Sequence, residues 1–187
     1  MNASVDISGT QLKTQRLILR PWQETDLEDF FEYASVDGVG QMAGWIPHRD
    51  KEESRRILNS FIAHKKTFAL VYQGKVIGSL GIEKYSEKSY PELAALRGRE
   101  IGYVLSKAYW GRGLMPEAVR AVIRWLFQDI GLDFILVGHF GWNAQSRRVI
   151  EKCGFRYVKS VPYRTRFDTQ ETAMEYILER SQYCADT

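Results

Sequence analysis

The sequence predicts a mixed α/β domain: a mixed sheet with helices on both faces. Three observations predict it. Strand-like segments joined by short turns fill the first half of the chain, and helical crossovers separate the strands of the second half. Neither an internal repeat nor a Pro/Gly/Ser-rich linker interrupts the 187 residues, a length that suits one domain with a real core. The composition, 44% hydrophobic and 13% aromatic, excludes a disordered chain.

The elements follow in order. Residues 1–13 are polar overall and read as a flexible tail, leaving 14–187 as the domain. Residues 16–20 (Arg-Leu-Ile-Leu-Arg) form a short strand stopped by Pro21. The stretch 24–34 predicts a helix with Leu27, Phe30, Phe31 and Ala34 on one face. A loop over 37–50 carries Gly38, Gly40, Gly44 and the run Trp45-Ile46-Pro47-His48. Asp50 caps a second helix over 51–64, with Ile57, Leu58, Phe61 and Ile62 apolar. Strands over 67–72 and 76–83 flank Gln73-Gly74-Lys75, a hairpin turn. Residues 84–98 are polar and read as a loop or ragged hairpin end. Beyond the central stretch, 133–140 is an apolar strand. A helix over 143–152 ends at Cys153-Gly154, and strands over 155–164 and 172–178 close the chain.

The central stretch, 100–118, carries the chemistry. Ile101, Tyr103 and Leu105 alternate as in a strand, and Gly111 and Gly113 flank Arg112 in a loop. Pro116 and Glu117 then open a helix running to about residue 130. Strand, glycine loop and helix start together can hold an anion: glycine admits close approach, free N–H groups point outward, and the helix dipole adds positive charge. A dinucleotide fingerprint would need a third glycine where Pro116 stands. A P-loop would need Lys and Ser/Thr where Leu114 and Met115 stand.

Other classes are disfavoured by composition. A net charge of +3 from 26 basic and 23 acidic residues does not argue for nucleic acid as a bulk partner. Cys153 and Cys184 are the only cysteines, with no Cys/His cluster, so neither a metal site nor a disulfide framework is expected. No apolar run reaches membrane-spanning length, and the first residues lack a signal-peptide core, so the expected home is cytoplasmic.

Four pieces, in order, resemble the GNAT N-acetyltransferase superfamily, and within it the ribosomal-protein N-acetyltransferase (RimJ/RimL-like) branch. Thr14-Gln15-Arg16-Leu17-Ile18-Leu19-Arg20-Pro21 resembles the branch's opening strand. Glu100-Ile101-Gly102-Tyr103 with Tyr109-Trp110-Gly111-Arg112-Gly113 resembles its acetyl-CoA strand and pyrophosphate loop. Asn143-Ala144-Gln145-Ser146 matches its Asn-x-x-Ser, and Glu151-Lys152-Cys153-Gly154-Phe155 its Glu-Lys-x-Gly-Phe ending. The resemblance covers most of 14–178. It implies a central, mostly antiparallel mixed sheet of about seven strands, two of them splayed to hold acetyl-CoA. The loop departs from the family's Gln/Arg-x-x-Gly-x-Gly/Ala: Trp110 holds the first position, Gly113 the middle one and Met115 the last. Backbone N–H groups bind the pyrophosphate in that family, so these departures do not by themselves abolish binding. Ile150 stands where many members carry a tyrosine general acid.

The resemblance implies an N-acetyltransferase working by direct attack of a primary amine on acetyl-CoA. The acceptor is first the N-terminal α-amine of a protein or peptide, with a small amine (polyamine, aminoglycoside or amino-acid derivative) as the alternative. A non-catalytic CoA-binding domain is a rival of another class. By resemblance, Tyr103, Val104 and Leu105 lie along the thioester and pantetheine, and Arg112, Gly113, Leu114 and Met115 hold the pyrophosphate. Asn143, which also suits the N-cap of its helix, and Ser146, otherwise a capping-turn serine, meet the pantetheine arm, with the Ser146 hydroxyl near the leaving sulfur. Arg147, Arg148 and Lys152 either meet phosphates or form a solvated basic face. Glu100 is the candidate base, against a surface ion pair with Arg97 or Arg99. Trp45, His48 and His139 are acceptor-side candidates, against core and structural roles. Cys153 has no activating histidine beside it in sequence. The sequence leaves a homodimer open.

Overall fold

The computed structural model describes residues 1–166 and 168–185; Phe167, Asp186 and Thr187 of the expected domain lie outside the described residues. The strands are β1 (Leu12–Lys13), β2 (Leu17–Pro21), β3 (Thr67–Tyr72), β4 (Lys75–Glu83), β5 (Gly98–Leu105), β6 (Phe134–Phe140), β7 (Arg156–Arg164) and β8 (Gln170–Glu179). The helices are α1 (Leu27–Ala34), α2 (Lys51–His64), α3 (Leu114–Gln128), α4 (Ala144–Lys152) and α5 (Arg180–Ala185). The strands form one sheet in the order β1-β2-β3-β4-β5-β6-β8-β7. Neighbours are antiparallel except β5 and β6, which run parallel. The extra strand beyond the expected set is the two-residue β1 at the edge.

Local chemistry sets the boundaries. Gln73 and Gly74 both have positive φ (50° and 84°), so a two-residue turn joins β3 to β4 with the twist a hairpin needs. The expected helix over 24–34 begins at Leu27. A short 3-10 turn over Glu24–Asp26 precedes it, because the Asp26 carboxylate turns back to the Gln23 N–H (2.8 Å) and the Arg20 guanidinium (2.7 Å). Asp50 caps α2 by accepting from the Glu53 N–H at 2.8 Å. Helix α3 starts at Leu114 rather than Pro116. Pro116 sits third, where an N–H has no intrahelical acceptor in any case. Segment 84–98 holds two short 3-10 turns, Glu87–Ser89 and Pro91–Leu93.

The flexible tail expected at residues 1–13 is instead packed on the sheet. Ala3 and Ile7 are buried, and Asn2 exchanges hydrogen bonds with the Tyr85 backbone (3.0 and 3.1 Å). Polar composition hid a period-two set, Ala3, Val5 and Ile7, that the core accepts.

Side-chain alternation gives the sheet a front and a back. On the front, Leu80, Ile82, Ile101, Ile135, Val137 and Leu178 join Ala118, Val119, Val122 and Leu126 of α3 and Ile150 of α4 in one core. On the back, Ala69, Val71 and Val104 pack with Leu27, Phe30, Tyr33 and Leu58 of α1 and α2. Farther along the back, Phe134, Leu136 and Ile177 lie under Tyr85, Tyr90 and Leu93. Between these two back layers the sheet opens.

Candidate active site

The opening comes from a ladder that stops. β5 and β6 pair only from Gly98↔Phe134 to Ile101↔Val137. From Gly102 onward β5 pairs with β4 alone, and from Gly138 onward β6 pairs with β8 alone. The strands splay, leaving a slot through the sheet whose backbone groups have no partner strand. A cleft of about 600 Å³ runs through it, lined on the front by Tyr103, Ser146 and Val149 and on the back by Glu100, Phe140 and Glu175. Gly102 stands at the slot, where a Cβ would meet nothing within 4 Å.

The anion loop is braced from two directions. The Trp110 indole donates to the Leu105 carbonyl at 2.7 Å, tying the loop to β5. Arg16 donates to the Arg112 carbonyl (2.9 Å) and to the Glu117 carboxylate (2.7 Å), while Thr14 donates to the same carboxylate at 2.6 Å. Gly113 (φ 74°) caps α3, and Gly111 (φ 77°) turns the chain before it. The N–H groups of Leu114 and Met115 precede the first intrahelical bond (Glu117 N–H to Gly113 carbonyl, 3.4 Å) and face a cleft both residues line. Their side chains are buried in the front core. The Arg112 side chain does not line the cleft; it lies over the Tyr109 ring, 5.1 Å from its centroid. Arg148 and Lys152 of α4 do line it, whereas Arg147 turns to Glu151 at 2.7 Å.

Two hydroxyls meet on the front side. Tyr103 Oη and Ser146 Oγ lie 2.9 Å apart. Burial holds the Tyr103 phenol above its ordinary pKa, so it keeps its proton. Asn143 caps α4 by accepting from the Ser146 N–H (3.0 Å), and its Nδ2 donates to the Met42 carbonyl (3.2 Å), joining two walls of the cleft. Ile150 is core. Burial pushes the Cys153 thiol up to about 11, the opposite of what a nucleophile needs.

On the back side Glu100 lines the cleft, and burial, then the charges of Glu175 and Glu83, push its carboxyl up to about 7. The surface ion-pair alternative does not hold: Arg97 donates to the Ile130 carbonyl (3.3 Å) and Arg99 to the Ala3 carbonyl (2.6 Å). Glu83 stands opposite Glu100 in the β4–β5 register and pairs with Lys66. Glu175, opposite Gly138, accepts from the Tyr90 hydroxyl and has Lys159 Nζ 3.9 Å away. His139 is buried at the cleft wall. Its Nδ1 donates to the Phe140 carbonyl (2.7 Å), which leaves Nε2 to accept from Tyr176 at 3.3 Å. Trp45 and His48 do not line the cleft: His48 is buried against Ser54 Oγ (2.7 Å) and Phe30, and Trp45 packs on it. Met42 and Ala43 of the same loop supply that wall.

Sequence reasoning missed Glu175, Tyr90 and the Thr14–Arg16–Glu117 clamp. The clamp had a signal, since Thr14 and Arg16 belong to the opening motif. Glu175 and Tyr90 had none, because their role depends on β8 lying beside β6.

A sheet split beside a glycine loop at a helix start, with a carboxyl and a hydroxyl pair in the same cleft, has the parts to hold an anionic carrier and to move a proton beside it. Residues 16–156 match the GNAT acetyltransferase domain, and the chain belongs to that family. It is therefore an acyltransferase of a family whose acetyl donor is acetyl-CoA, and the unpaired β5 edge, the free loop N–H groups and Arg148 and Lys152 fit that donor. It is 31% identical over 170 residues to the uncharacterized N-acetyltransferase YoaA of Bacillus subtilis (strain 168), covering 82% of this chain and 92% of that protein. In fold it is similar to a GNAT-family acetyltransferase from Bacillus anthracis (TM-score 0.80, 23% identity, 92% of this chain and 99% of that one). It is also similar to ribosomal-protein-S5-alanine acetyltransferase from Vibrio fischeri (TM-score 0.72, 19% identity, 93% and 98%). Among the described residues no helix is long and apolar enough to cross a membrane, and no group of three His, Cys, Asp or Glu side chains could hold a metal.

Proposed function

We propose that the protein is an acetyl-CoA-dependent N-acetyltransferase acting by direct transfer on a primary α-amine, first that of a protein or peptide. The observation that carries this reading is the through-sheet slot, with hydroxyls on one side and Glu100 on the other. Acetyl-CoA supplies the activated acyl group. Glu100 takes a proton from the incoming ammonium, freeing the nitrogen lone pair for the thioester carbon. As the C–S bond breaks, the Tyr103–Ser146 pair donates a hydrogen bond to the departing thiolate, in place of the tyrosine that Ile150 replaces. Glu100 passes its first proton on to water, and the second amine proton then leaves to the freed carboxylate or directly to water as the amide forms.

The pKa match favours an α-amine. A carboxyl at about 7 lies about one pKa unit below an α-ammonium (about 7.7–8.0), an uphill transfer of about 1 kcal/mol. From a lysine ammonium at about 10.4 the same transfer costs about 5 kcal/mol. A thiol-release assay with acetyl-CoA tests the reading, with alanyl peptides against N-terminally blocked, lysine-containing ones. Amine-dependent release with the free α-amine is expected. Binding of CoA with no release for any amine would make this a non-catalytic CoA-binding domain.

A further inference from the structure

The charged groups of the cleft are sorted by side. On the front, the ionic lining side chains are Arg148 and Lys152. On the back they are Glu100 and Glu175, and among the described residues no cation lines that side. The two carboxylates sit on strands separated by β6, two strand spacings apart across the sheet and two residues apart along β6 (Glu100 beside Leu136, Glu175 beside Gly138), about 12 Å at the backbone. The β6 position beside Glu175 is Gly138, so no side chain rises between Glu175 and the slot. Glu175 is held in place from the far side. The Tyr90 hydroxyl donates to it, and Lys159 is shared among Glu175 at 3.9 Å, the Tyr90 ring at 3.7 Å and the Ser89 carbonyl. The segment 84–98 thus places an oriented carboxylate at the wall of the acceptor half.

From this geometry we infer that Glu175 selects the acceptor by charge: the preferred substrate carries a second positive group beyond the amine that reacts at Glu100. This deepens the reading of the cleft as an amine acetyltransferase site and rests on it. The physical reason is a back wall whose cleft-lining ionic side chains are both carboxylates. Among the described residues, a monocation at Glu100 leaves Glu175 with only Lys159, 3.9 Å away on its far side, as counter-charge, and with no cation on its cleft side. A dication meets both. The two ends also differ in role. The reacting end must lose its proton to Glu100, while the distal end keeps its charge beside Glu175, which accepts from the Tyr90 hydroxyl and has Lys159 3.9 Å away. Two sources supply such chemistry: a peptide whose first residue is basic, which keeps the α-amine acceptor, and a short aliphatic diamine, which would replace it with an alkyl amine.

The experiment compares acceptors that differ by that one charge. Thiol release is measured for putrescine against butylamine, and for lysyl-alanine against alanyl-alanine, with wild type, Glu175→Gln and Tyr90→Phe. Wild type should favour the dication by about 10-fold or more in kcat/KM in at least one pair, and which pair responds identifies the source. The preference should shrink with added salt. Glu175→Gln should collapse the ratio, taken within that variant so that any change in the Glu100 base cancels, toward one while the CoA-induced thermal shift persists. Tyr90→Phe, which frees the carboxylate without removing it, should lower the ratio less. Equal turnover of both members of each pair by wild type overturns the inference and leaves the acetyltransferase reading standing. So does an unchanged ratio in a Glu175→Gln protein that still shows the CoA shift. No thiol release with any acceptor overturns both.

Discussion

The front and back halves of the cleft are made in different ways. The front is built from backbone and from neighbours in sequence: the β5 edge, the loop over 106–113, the start of α3, and α4 with its Asn143 cap. Its proposed cofactor-holding groups are N–H donors whose positions follow from glycine φ angles and from where a helix begins, with the Tyr103–Ser146 hydroxyls beside them. The back is built from side chains brought together by strand order: Glu100 of β5, Glu175 of β8, Tyr90 of the 84–98 segment and Met42 of the 37–50 loop. A common donor asks for a fixed backbone cradle, whereas an acceptor that differs between relatives asks for replaceable side chains on exposed segments.

The largest expected effect breaks the front half. Gly113 has φ 74°, and a β-branched residue there is a genuine backbone outlier. Gly113→Val should abolish the rise in melting temperature that CoA gives and lower turnover about 100-fold or more, a loss of about 3 kcal/mol of transition-state binding. Circular dichroism establishes that the variant folds. A folded Gly113→Val protein with an undiminished CoA shift would place the cofactor elsewhere.

Next comes Glu100, the proposed base of the back half. With its carboxyl at about 7, Glu100 should give wild-type kcat/KM an ascending limb near that pH. Glu100→Gln should lose about 10²–10⁴-fold at neutral pH and recover partly above pH 8, as an α-amine arrives deprotonated. Stability should move the opposite way. The folded carboxyl is raised above its ordinary value near 4.5, so the native state binds the extra proton between about 4.5 and 7, and stability falls as pH rises through that window. Glu100→Gln removes the penalty and should be more stable at pH 8, by about 3 kcal/mol at the upper bound. Denaturant titrations of both proteins at pH 5 and pH 8 check the sign. Parallel pH–rate curves would reject Glu100 as the base.

The hydroxyl pair comes third. Ser146→Ala should lower kcat by about 10–100-fold with little change in KM for acetyl-CoA, since stabilisation of a departing thiolate acts mainly in the transition state. Tyr103→Phe should cost about the same, and the double variant little more, because one 2.9 Å contact joins the two. Additive losses would separate the hydroxyls and leave only one at the sulfur.

What was legible in the sequence follows the same division. Gly111, Gly113 and the helix behind them could be read directly, because a turn and a helix start are local. Asn143 could be read as a cap for the same reason, and its side chain accepts from the Ser146 N–H. Ala3 and Ile7 were hidden among polar neighbours, and their burial depends on a sheet formed by distant strands. His48 sits in a loop suited to an acceptor wall, yet its ring turns inward to Ser54 and Phe30, a choice made by the packing of α1 on α2. Glu175 reads as one acidic residue in a strand until β8 is placed beside β6, a long-range pairing that no local rule supplies.

The smallest expected effect sharpens the contrast, because it concerns a side chain that serves the backbone half. Arg16 touches no lining group of the back wall; its guanidinium holds the Arg112 carbonyl at 2.9 Å and the Glu117 carboxylate at 2.7 Å. Glu117 is further tied to the Arg16 N–H at 2.8 Å and to Thr14, and these bonds hold its carboxyl below the ordinary range even though burial pushes the other way. The Arg16 side chain is 39% exposed, so the ion pair itself is partly screened and contributes about 1 kcal/mol or less to stability. Its larger effect should be on loop order. Without it the loop's N–H groups sample more conformations before the pyrophosphate fixes them, and binding must then supply that ordering. Arg16→Gln should therefore raise KM for acetyl-CoA about 3–10-fold, leave kcat within about 2-fold, and leave acceptor preference unchanged. An equal fall in kcat would mean that the clamp positions the thioester as well as the phosphates, and the front half would then reach farther toward the chemistry than its backbone geometry implies.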